Sequence, residues 1–570
     1  MDIRGKWYDR GGVKLLLAFL LNAVFLALML ACFVPIFETN DDVLMSKFVD
    51  GQLSHKSAYV PFINICLGWL LKMLYTVGGD DFNWYSACQY AVLYLGFTAI
   101  TWTLLRRFRP LPALTMTVVL LSAFAVDCYL SMNFSKPSAV GTVGGLCLML
   151  YSLKNETGGV LRRPLALGIA LTLLGFVWRY EEFFVCAAIM AGIGLLALAD
   201  VGCESRGRPL RERAAPMLRL AAPFALLLAL VAGLYGVNYL AWNNDEYKAY
   251  TDFDWTRSMV IDFGFVPYAE MPEAYDALGM DETAVKVLKN WNFYDTEKFT
   301  QESLQGILDA REGLVARRSI GECLGVFLDK CVGGFFIDRP VAGFVFMLLF
   351  FLVCGRRGAR DWLTAAWLLG SFFAIYMALI YTDRYLANRV DIGLFLAMAV
   401  GFSFLLDGRR LEDERLFCVF VLTLSLFIGY RSCRKVCIYD SHSEIDYKAD
   451  KRAAVDAVLR DTEHLYFVTF LSIDHEIYGP LETAPAGYAD RIVFMGNWSC
   501  RHPETERVLA RWGVTNPYRD IIGSDQLYII DSNIDETMTY INEYYDPDAS
   551  AEPVEPMSSQ TGLEIYRILE

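Results

Sequence analysis

Apolar residues along this chain fall into blocks of about 16 to 25 residues, which short charged loops separate. A block of about 20 apolar residues is long enough to cross a bilayer as a helix. The pattern predicts a polytopic α-helical membrane protein with about eleven transmembrane helices. The predicted spans are 15–37, 84–105, 111–131, 138–153, 164–180, 183–200, 217–241, 340–355, 362–382, 390–406 and 414–431.

A further apolar stretch, 59–78, decides the topology of everything that follows it. It contains Pro61, Asn64 and Lys72, which are unfavourable in the middle of a bilayer. Lys and Arg concentrate in short cytoplasmic loops. The basic loops of this chain begin at Arg106, Lys154, Arg206, Arg356 and Arg409. With a cytoplasmic N-terminus, all of them lie inside only if 59–78 does not cross, so we predict a juxtamembrane helix there and an extracytoplasmic C-terminus.

Two long segments carry most of the negative charge. Residues 243–319 have a net charge of −7 and residues 440–570 a net charge of −15, whereas the whole chain has −14. The acidic segments are therefore expected outside, and the basic loops at the cytoplasmic face. This predicts a transmembrane domain at 1–431, which includes outer loops 38–83 and 243–338, and an extracytoplasmic α/β domain at 432–570.

Periodicity within the soluble segments predicts their secondary structure. Apolar residues at helical spacing predict two amphipathic helices on the membrane surface between residues 281 and 312, and an interfacial helix at 319–337. Runs rich in β-branched and aromatic residues predict strands at 465–471, 491–495, 527–530 and 563–569, with helices at 504–512 and 536–545. The Pro- and Ser-rich stretch 548–562 is predicted to be a loop.

Composition and charge exclude several classes of protein. Hydrophobic residues make up 55% of the chain and charged residues only 20%, which excludes an ordinary cytosolic enzyme and a disordered chain. The net negative charge argues against a nucleic-acid partner. The 14 Cys show no CxxC spacing, so the sequence predicts neither a disulfide framework nor a zinc ribbon.

The candidate chemistry lies where the first predicted span ends. Glu38, Asp41 and Asp42 fall within five residues at the expected membrane surface. Mutual repulsion and partial desolvation both raise the pKa of a carboxylate, which suits a general base. The alternative is a simple acidic cap, because the helix dipole favours acids at the start of a helix such as the one predicted at 43–48.

This arrangement resembles the GT-C superfamily, whose members are polytopic glycosyltransferases that use polyprenyl-phosphate-linked sugars, such as protein mannosyltransferases and aminoarabinose transferases. The matching features are a first transmembrane helix, an acidic pair at its outer end in the stretch 41–51, and a juxtamembrane helix that does not cross. The resemblance implies that Asp41 takes the place of the catalytic acid, with Asp42 beside it. Asp stands at position 42 instead of the commoner Glu, so the use of a divalent cation stays open.

A transferase of this kind needs cations at the outer face, because a polyprenyl phosphate leaving group develops negative charge. The basic candidates at the outer ends of predicted spans are Lys136, Arg179, Arg384 and Arg389. Lys136 has no acid adjacent in sequence, which favours a phosphate-binding role for it. The alternative for the others is an ion pair, with Glu181 or Glu182 for Arg179 and with Asp383 or Asp391 for Arg384.

Two acids complete the set of candidate substrate-binding residues. Asp127 lies near the outer end of the third predicted span, and an acid inside a span is a functional candidate by default. Glu38 lies at the end of the first span, three residues before Asp41. Its position predicts that it lines the same outer site.

We therefore expect a membrane glycosyltransferase that moves a sugar from a polyprenyl-phosphate donor to an extracytoplasmic glycan, glycolipid or protein, in a bacterial plasma membrane. Two alternatives belong to other classes: a lipid-linked oligosaccharide flippase or transporter, and a non-enzymatic envelope assembly protein. The sequence shows no inverted repeats of the kind that transporters often carry. Convergence of Asp41, Lys136 and Arg384 on one outward-facing cavity would favour the transferase.

Overall fold

A computed structural model describes residues 11–570 except 53–54, 156–161, 205–209, 315–317, 334–338, 383, 385–386, 440–441, 471, 474–477, 484–487 and 556. The described residues are mostly helical, and one small mixed sheet lies near the C-terminus. The predicted fold class is confirmed at this level. Parts of the basic loops that begin at Lys154 and Arg206 lie outside the described residues.

Helices dominate the chain as far as Trp242, with two short strands between them. The elements are α1 Gly11–Cys32, β1 Ile36–Phe37, α2 Asn40–Asp50, α3 Ile65–Gly78, α4 Trp84–Arg107, α5 Pro110–Leu130, β2 Ser131–Met132, α6 Ser135–Asn155, α7 Arg162–Trp178, α8 Tyr180–Glu204 and α9 Leu210–Trp242. Within α5, residues Leu121–Ala125 form a π-helical turn just before Asp127.

Six helices of the described residues are long and apolar enough to cross a membrane. They are Gly11–Cys32, Trp84–Arg107, Pro110–Leu130, Tyr180–Val201, Pro216–Trp242 and Ala359–Tyr381. Shorter apolar helices lie at Ile65–Gly78, Arg163–Trp178 and Arg339–Cys354. The count of eleven spans and their orientation therefore stay predictions.

The stretch expected to form a juxtamembrane helix contains a helix of only 14 residues, α3. It begins after Asn64, whose side chain accepts a hydrogen bond from the backbone N–H of Cys66. A helix of this length extends about 21 Å, which is shorter than the roughly 30 Å of a hydrocarbon core. Its length is thus consistent with a helix that does not cross.

The outer segment after Trp242 contains α10 Asp245–Ile261, α11 Pro272–Ala277, α12 Glu282–Lys289, α13 Gln301–Ala310 and α14 Ile320–Leu328. The two predicted amphipathic helices exist as α12 and α13. Lys286 of α12 forms an ion pair of 3.0 Å with Glu536 of the C-terminal part. The expected place of these helices on the membrane surface stays a prediction.

A second group of helices follows the outer segment. It comprises α15 Arg339–Cys354, α16 Ala359–Tyr381, α17 Asn388–Ser403, α18 Gly408–Asp413, α19 Arg415–Tyr439 and α20 His442–Arg460. The predicted interfacial helix at 319–337 is α14 followed by a π-helical turn, Asp329–Gly333. The rest of that stretch lies outside the described residues.

The C-terminal part contains a five-stranded mixed sheet. Its elements are β3 Leu465–Val468, α21 Tyr488–Arg491, β4 Ile492–Phe494, α22 Pro503–Arg511, α23 Pro517–Asp520, β5 Leu527–Ile530, α24 Ile534–Tyr544, β6 Ser550–Pro553, α25 Met557–Thr561 and β7 Ile565–Leu569. The strand order is β4-β3-β5-β7-β6, with β3 parallel to β4 and β5, and β7 antiparallel to β5 and β6.

All four predicted strands and both predicted helices of this part are present. The prediction of a loop at 548–562 is wrong, because β6 and α25 lie there. β6 is an edge strand with mostly exposed side chains, and a Pro at its end is tolerated at an edge. Its sequence therefore lacks the run of β-branched and aromatic residues from which the other strands were predicted.

The outer segment packs directly on the C-terminal sheet. The backbone N–H of Tyr294 donates to the Met495 carbonyl at 2.9 Å, and the Tyr518 hydroxyl donates to the Asn292 carbonyl at 2.8 Å. The fully buried carboxylate of Asp295 accepts a hydrogen bond of 2.7 Å from the Tyr540 hydroxyl. These contacts join two segments that are separated by about 200 residues of chain.

Candidate functional site

Two short strands bring the ends of two membrane helices together. β1 pairs in parallel with β2, with Ile36 opposite Ser131 and Phe37 opposite Met132. The backbone N–H of Glu38 then donates to the Met132 carbonyl at 2.7 Å. This pairing places the acidic segment at the end of α1 beside the turn that joins α5 to α6.

Asp42 lies at the start of α2 and is completely buried. Its Oδ1 accepts hydrogen bonds of 2.8 Å from the Tyr85 hydroxyl and from Gln89 Nε2, both on α4. Its Oδ2 accepts a hydrogen bond of 3.1 Å from Asn133 Nδ2. These donors favour the ionised carboxylate, but burial outweighs them and raises the pKa of Asp42 to about 7.

Asp41, the neighbouring acid, is partly exposed. Its Oδ1 accepts a hydrogen bond of 3.0 Å from the indole Nε1 of Trp498, which belongs to the C-terminal part. Its Oδ2 lies 3.4 Å from Thr39 Oγ1. The structure therefore separates the pair, since Asp42 is enclosed by protein donors while Asp41 retains access to solvent.

Lys136, which has no acid adjacent in sequence, has two acidic partners in the structure. Its side chain is fully buried, and Nζ lies 2.6 Å from Asp127 Oδ1 and 2.7 Å from Glu38 Oε2. It also donates to the carbonyl of Ser131. The turn before α6 therefore places Lys136 between two carboxylates that are not adjacent to it in sequence, so the reason for favouring it as a phosphate ligand does not hold in space.

Asp127 is the centre of this buried charge cluster. Besides Lys136, it contacts Arg339 at 3.2 Å and accepts a hydrogen bond of 2.9 Å from Asn388 Nδ2. Its partners thus come from α6, α15 and α17. The cluster of Glu38, Asp127, Lys136 and Arg339 has two carboxylates and two cations, and it joins the ends of helices from both halves of the membrane part.

Arg389 remains as the cation that faces the acidic site. Its charge acts on Asp42, where it lowers the pKa, and it is close enough to Glu182 for a second electrostatic interaction. No carboxylate of the described residues lies within ion-pair distance of Arg389, and its buried Nε has no hydrogen-bond partner among them. Glu182 is itself buried, and its Oε1 likewise has no partner in the described chain.

The other two predicted cations have different surroundings. Arg179 donates to Ser135 Oγ at 2.6 Å and forms a loose ion pair of 3.7 Å with Glu181, so the pairing alternative holds for it. Arg384 is exposed, and its guanidinium lies 4.0 Å from the ring centre of Phe263.

The alternative of an ion pair with Asp391 is not observed for Arg384. Asp391 pairs with Lys330 at 2.7 Å and accepts a hydrogen bond from Tyr376, and the structure gives it no ion pair with Arg384. The other alternative, Asp383, lies outside the described residues. Arg384 is therefore a surface cation packed on an aromatic ring.

A cavity of about 280 Å³ opens near this site without being lined by Asp41, Lys136 or Arg384. Its walls come from the first outer loop, α3, the start of α10 and the C-terminal part, through residues that include His55, Trp69, Tyr247 and Arg507. The expected convergence of Asp41, Lys136 and Arg384 is therefore not found in this cavity. Asp42 and Lys136 are nevertheless neighbours through Asn133 and Glu38.

Several site residues escaped the sequence analysis. Tyr85, Gln89 and Asn133 surround Asp42, and Trp498 reaches Asp41 across 457 residues of chain. Of these residues, only Asn133 could have been suspected from the sequence, because it lies just before the candidate Lys136. The others are ordinary interfacial or helical residues whose role follows from contacts that the sequence does not encode locally.

Comparisons with known proteins give a structural similarity only. No protein-family profile and no curated protein matches the chain. A crystal structure of ArnT from Cupriavidus metallidurans bound to undecaprenyl phosphate is 11% identical, with 97% of each chain covered and a TM-score of 0.40. The apo ArnT structure from the same organism is 12% identical, with 95% of each chain covered and a TM-score of 0.39.

Proposed function

We propose that this protein is a membrane glycosyltransferase that moves a sugar from a polyprenyl-phosphate donor to an acceptor on the extracytoplasmic side. The observation that carries the proposal is the difference in burial and hydrogen bonding between Asp41 and Asp42. Asp42 is buried and accepts hydrogen bonds from three donors, while Asp41 is partly exposed and is held by Trp498 and, at a longer distance, by Thr39. A rigid, accessible carboxylate is what a general base requires.

Asp41 acts as the base in this proposal. The acceptor hydroxyl gives its proton to the Asp41 carboxylate as its oxygen forms a bond to the anomeric carbon of the sugar. The bond from that carbon to the phosphate oxygen breaks, and polyprenyl phosphate leaves with the electron pair. The reaction therefore balances without a redox partner or a nucleotide.

Arg389 holds the donor phosphate. It is the guanidinium near the acidic pair that lacks an ion pair with any described residue, and a guanidinium matches two phosphate oxygens at once. Lys136 is less suited, because Asp127 and Glu38 already neutralise it. Arg179 keeps a secondary role, since its Glu181 partner is largely exposed and the pair is long.

A divalent cation held by the acidic pair is the remaining alternative for the chemistry. The described residues contain no group of three His, Cys, Asp or Glu side chains arranged to hold a metal ion. Asp42 does not fit such a role, because both of its oxygens accept hydrogen bonds from N–H and O–H groups, which point positive charge at the position a cation would take. We derive no step through a metal.

The acceptor is proposed to be an extracytoplasmic glycan, glycolipid or protein, in a bacterial plasma membrane. This follows from the predicted topology, in which the acidic pair and the C-terminal part share the outer face. Trp498 supports that placement, because it links the C-terminal part to Asp41 and both must lie on one side.

The test is turnover of purified protein with a polyprenyl-phosphate sugar, in detergent, for variants of the acidic pair. Asp41→Asn should lower turnover by at least about a hundredfold, since general-base contributions run from about 10² to 10⁴, and should leave the donor KM nearly unchanged. Asp81→Asn is the matched control, an exposed acid of the same outer loop, and should keep full activity. Near-normal turnover of Asp41→Asn would refute the proposal.

A further inference from the structure

The contact between Trp498 and Asp41 has more support than a single distance. Trp498 is buried, with 5% of its surface exposed. Its ring packs on Phe48 of α2 with ring centres 5.4 Å apart, and on Phe62 with ring centres 5.5 Å apart. Its indole N–H thus reaches Asp41 from an aromatic pocket formed by the first outer loop.

Hydrogen bonds with α10 and with the outer segment fix the loop that carries Trp498. The Tyr250 hydroxyl of α10 donates to the Trp498 carbonyl at 2.8 Å. Arg501 has a left-handed backbone, with φ of 61°, and its guanidinium donates to the carbonyls of Asp295 and Phe299. Non-glycine residues adopt this conformation only where their surroundings fix it, so the loop is built to hold one geometry.

The other side of the contact is fixed as well. Phe62 also has a positive φ, of 70°, and its ring stacks on Phe134, which lies beside Asn133. Asn133 in turn donates to Asp42. Trp498 is therefore enclosed by the same segments that lock the acidic pair.

We propose that Trp498 is a positioning residue for Asp41, through which the C-terminal part completes the active site. This rests on the proposed function, because it assigns Trp498 a role in the step that Asp41 performs. The indole N–H fixes one carboxylate oxygen, Oδ1, and the other, Oδ2, whose contact with Thr39 Oγ1 is long at 3.4 Å, takes the proton of the acceptor hydroxyl.

The first measurement is independent of activity. The full-length protein is labelled with 5-fluorotryptophan and studied by ¹⁹F NMR in detergent, and the Trp498 signal among the 12 Trp is the one that disappears in Trp498→Phe. Asp41→Asn should shift that signal, whereas the signal of Trp512, a partly buried Trp of the same part, should stay in place. An unchanged Trp498 signal in Asp41→Asn would overturn the inference.

The second measurement is turnover. Trp498→Phe keeps an aromatic ring but removes the N–H, and it should lower kcat by about tenfold to a hundredfold, the range for loss of one hydrogen bond to a charged group, with the donor KM unchanged. Trp512→Phe should keep full kcat. In the Asp41→Asn background, Trp498→Phe should have no further effect, whereas a merely structural role would lower turnover equally in both backgrounds.

The outcomes separate the two proposals. If Asp41→Asn keeps normal turnover, the proposed function fails, whatever the NMR signal does. If Asp41→Asn is inactive but Trp498→Phe has wild-type kcat, the proposed function stands and the positioning role of Trp498 is wrong. The ¹⁹F spectrum shows whether an inactive Trp498→Phe protein is unfolded. In that case Trp498→His, which restores a ring N–H, should recover part of the turnover.

Discussion

Asp42 shows how burial alters one carboxylate while its neighbour stays accessible. Both acids begin α2, and the sequence gives no reason to treat them differently. The helix turns Asp42 toward Tyr85 and Gln89 of α4, where it loses contact with water, and leaves Asp41 at the rim. The prediction that repulsion and desolvation raise a pKa in this pair is met at Asp42, with burial as the main cause.

This burial predicts a pH-dependent stability. The pKa of Asp42 is about 7 in the folded protein and about 3.9 in an unfolded chain. Between these values only the folded state holds the proton, so the free energy of unfolding should fall as the pH rises from about 4 to 7, by on the order of 4 kcal/mol. Thermal unfolding of detergent-solubilised protein at several pH values measures this.

Other groups titrate in the same pH range. The contribution of Asp42 is therefore measured as the difference in pH-dependent stability between wild type and Asp42→Asn. Asp42→Asn cannot ionise, and its melting temperature should fall less between pH 4 and 7 than that of the wild type. Asp81→Asn is the control and should follow the wild-type curve. If Asp42→Asn and wild type show parallel curves, Asp42 does not carry the raised pKa.

Lys136 gives the second prediction at this scale. Removing one partner of a buried ion pair leaves an uncompensated charge, which typically costs about 3–5 kcal/mol. Lys136→Met should therefore lower the unfolding midpoint strongly, because Glu38 and Asp127 lose their shared cation. The double variant Lys136→Met with Glu38→Gln should recover part of the loss, and no recovery would show that the Glu38 contact adds nothing.

At the scale of elements, close helix packing holds the site in place. α6 packs extensively on α7 and on α4, the helix that supplies Tyr85 and Gln89. A Cβ added at Gly175 of α7 would lie 2.6 Å from the backbone N of Thr142 and 2.7 Å from the carbonyl of Ser138, both on α6. The absence of a side chain at Gly175 therefore sets the distance between these two helices.

This predicts a selective effect of Gly→Ala substitutions. Gly175→Ala should lower the free energy of unfolding by about 1–3 kcal/mol, the usual cost of overpacking, because backbone atoms must move apart. Gly233→Ala on α9 is the matched control, since nothing lies within 4 Å of the added Cβ, and it should be neutral or slightly stabilising. Equal effects of the two substitutions in detergent unfolding would contradict the packing argument.

At the scale of the whole molecule, the topology remains the central prediction. The basic-loop pattern places the C-terminus outside, and the Trp498 contact requires the C-terminal part and the acidic pair to share one face. Alkaline phosphatase, which is active only outside the cytoplasm, should be active when fused after Glu570. The same fusion after Glu412, in a predicted cytoplasmic loop, should be inactive, and the reverse result would invert the topology.

The sequence by itself determined the features that depend on local pattern. Apolar blocks predicted the six long apolar helices that the structure contains, because the length of an apolar run is a local property of the sequence. Runs of β-branched and aromatic residues predicted β3, β4, β5 and β7. The acidic pair was located for the same reason, because it directly follows an apolar block. The prediction failed at β6, whose exposed edge position removes the apolar signal.

Only the tertiary structure decided which charges are free and which are paired. Lys136 is neutralised by Glu38 and Asp127, which lie 98 and 9 residues away, and Arg389 is left without an ion pair among the described residues. The link from Trp498 to Asp41 joins opposite ends of the chain. Such contacts depend on how helices and strands pack, and the energy of a charge depends on its burial and its neighbours in space, neither of which is encoded in the local pattern of residues.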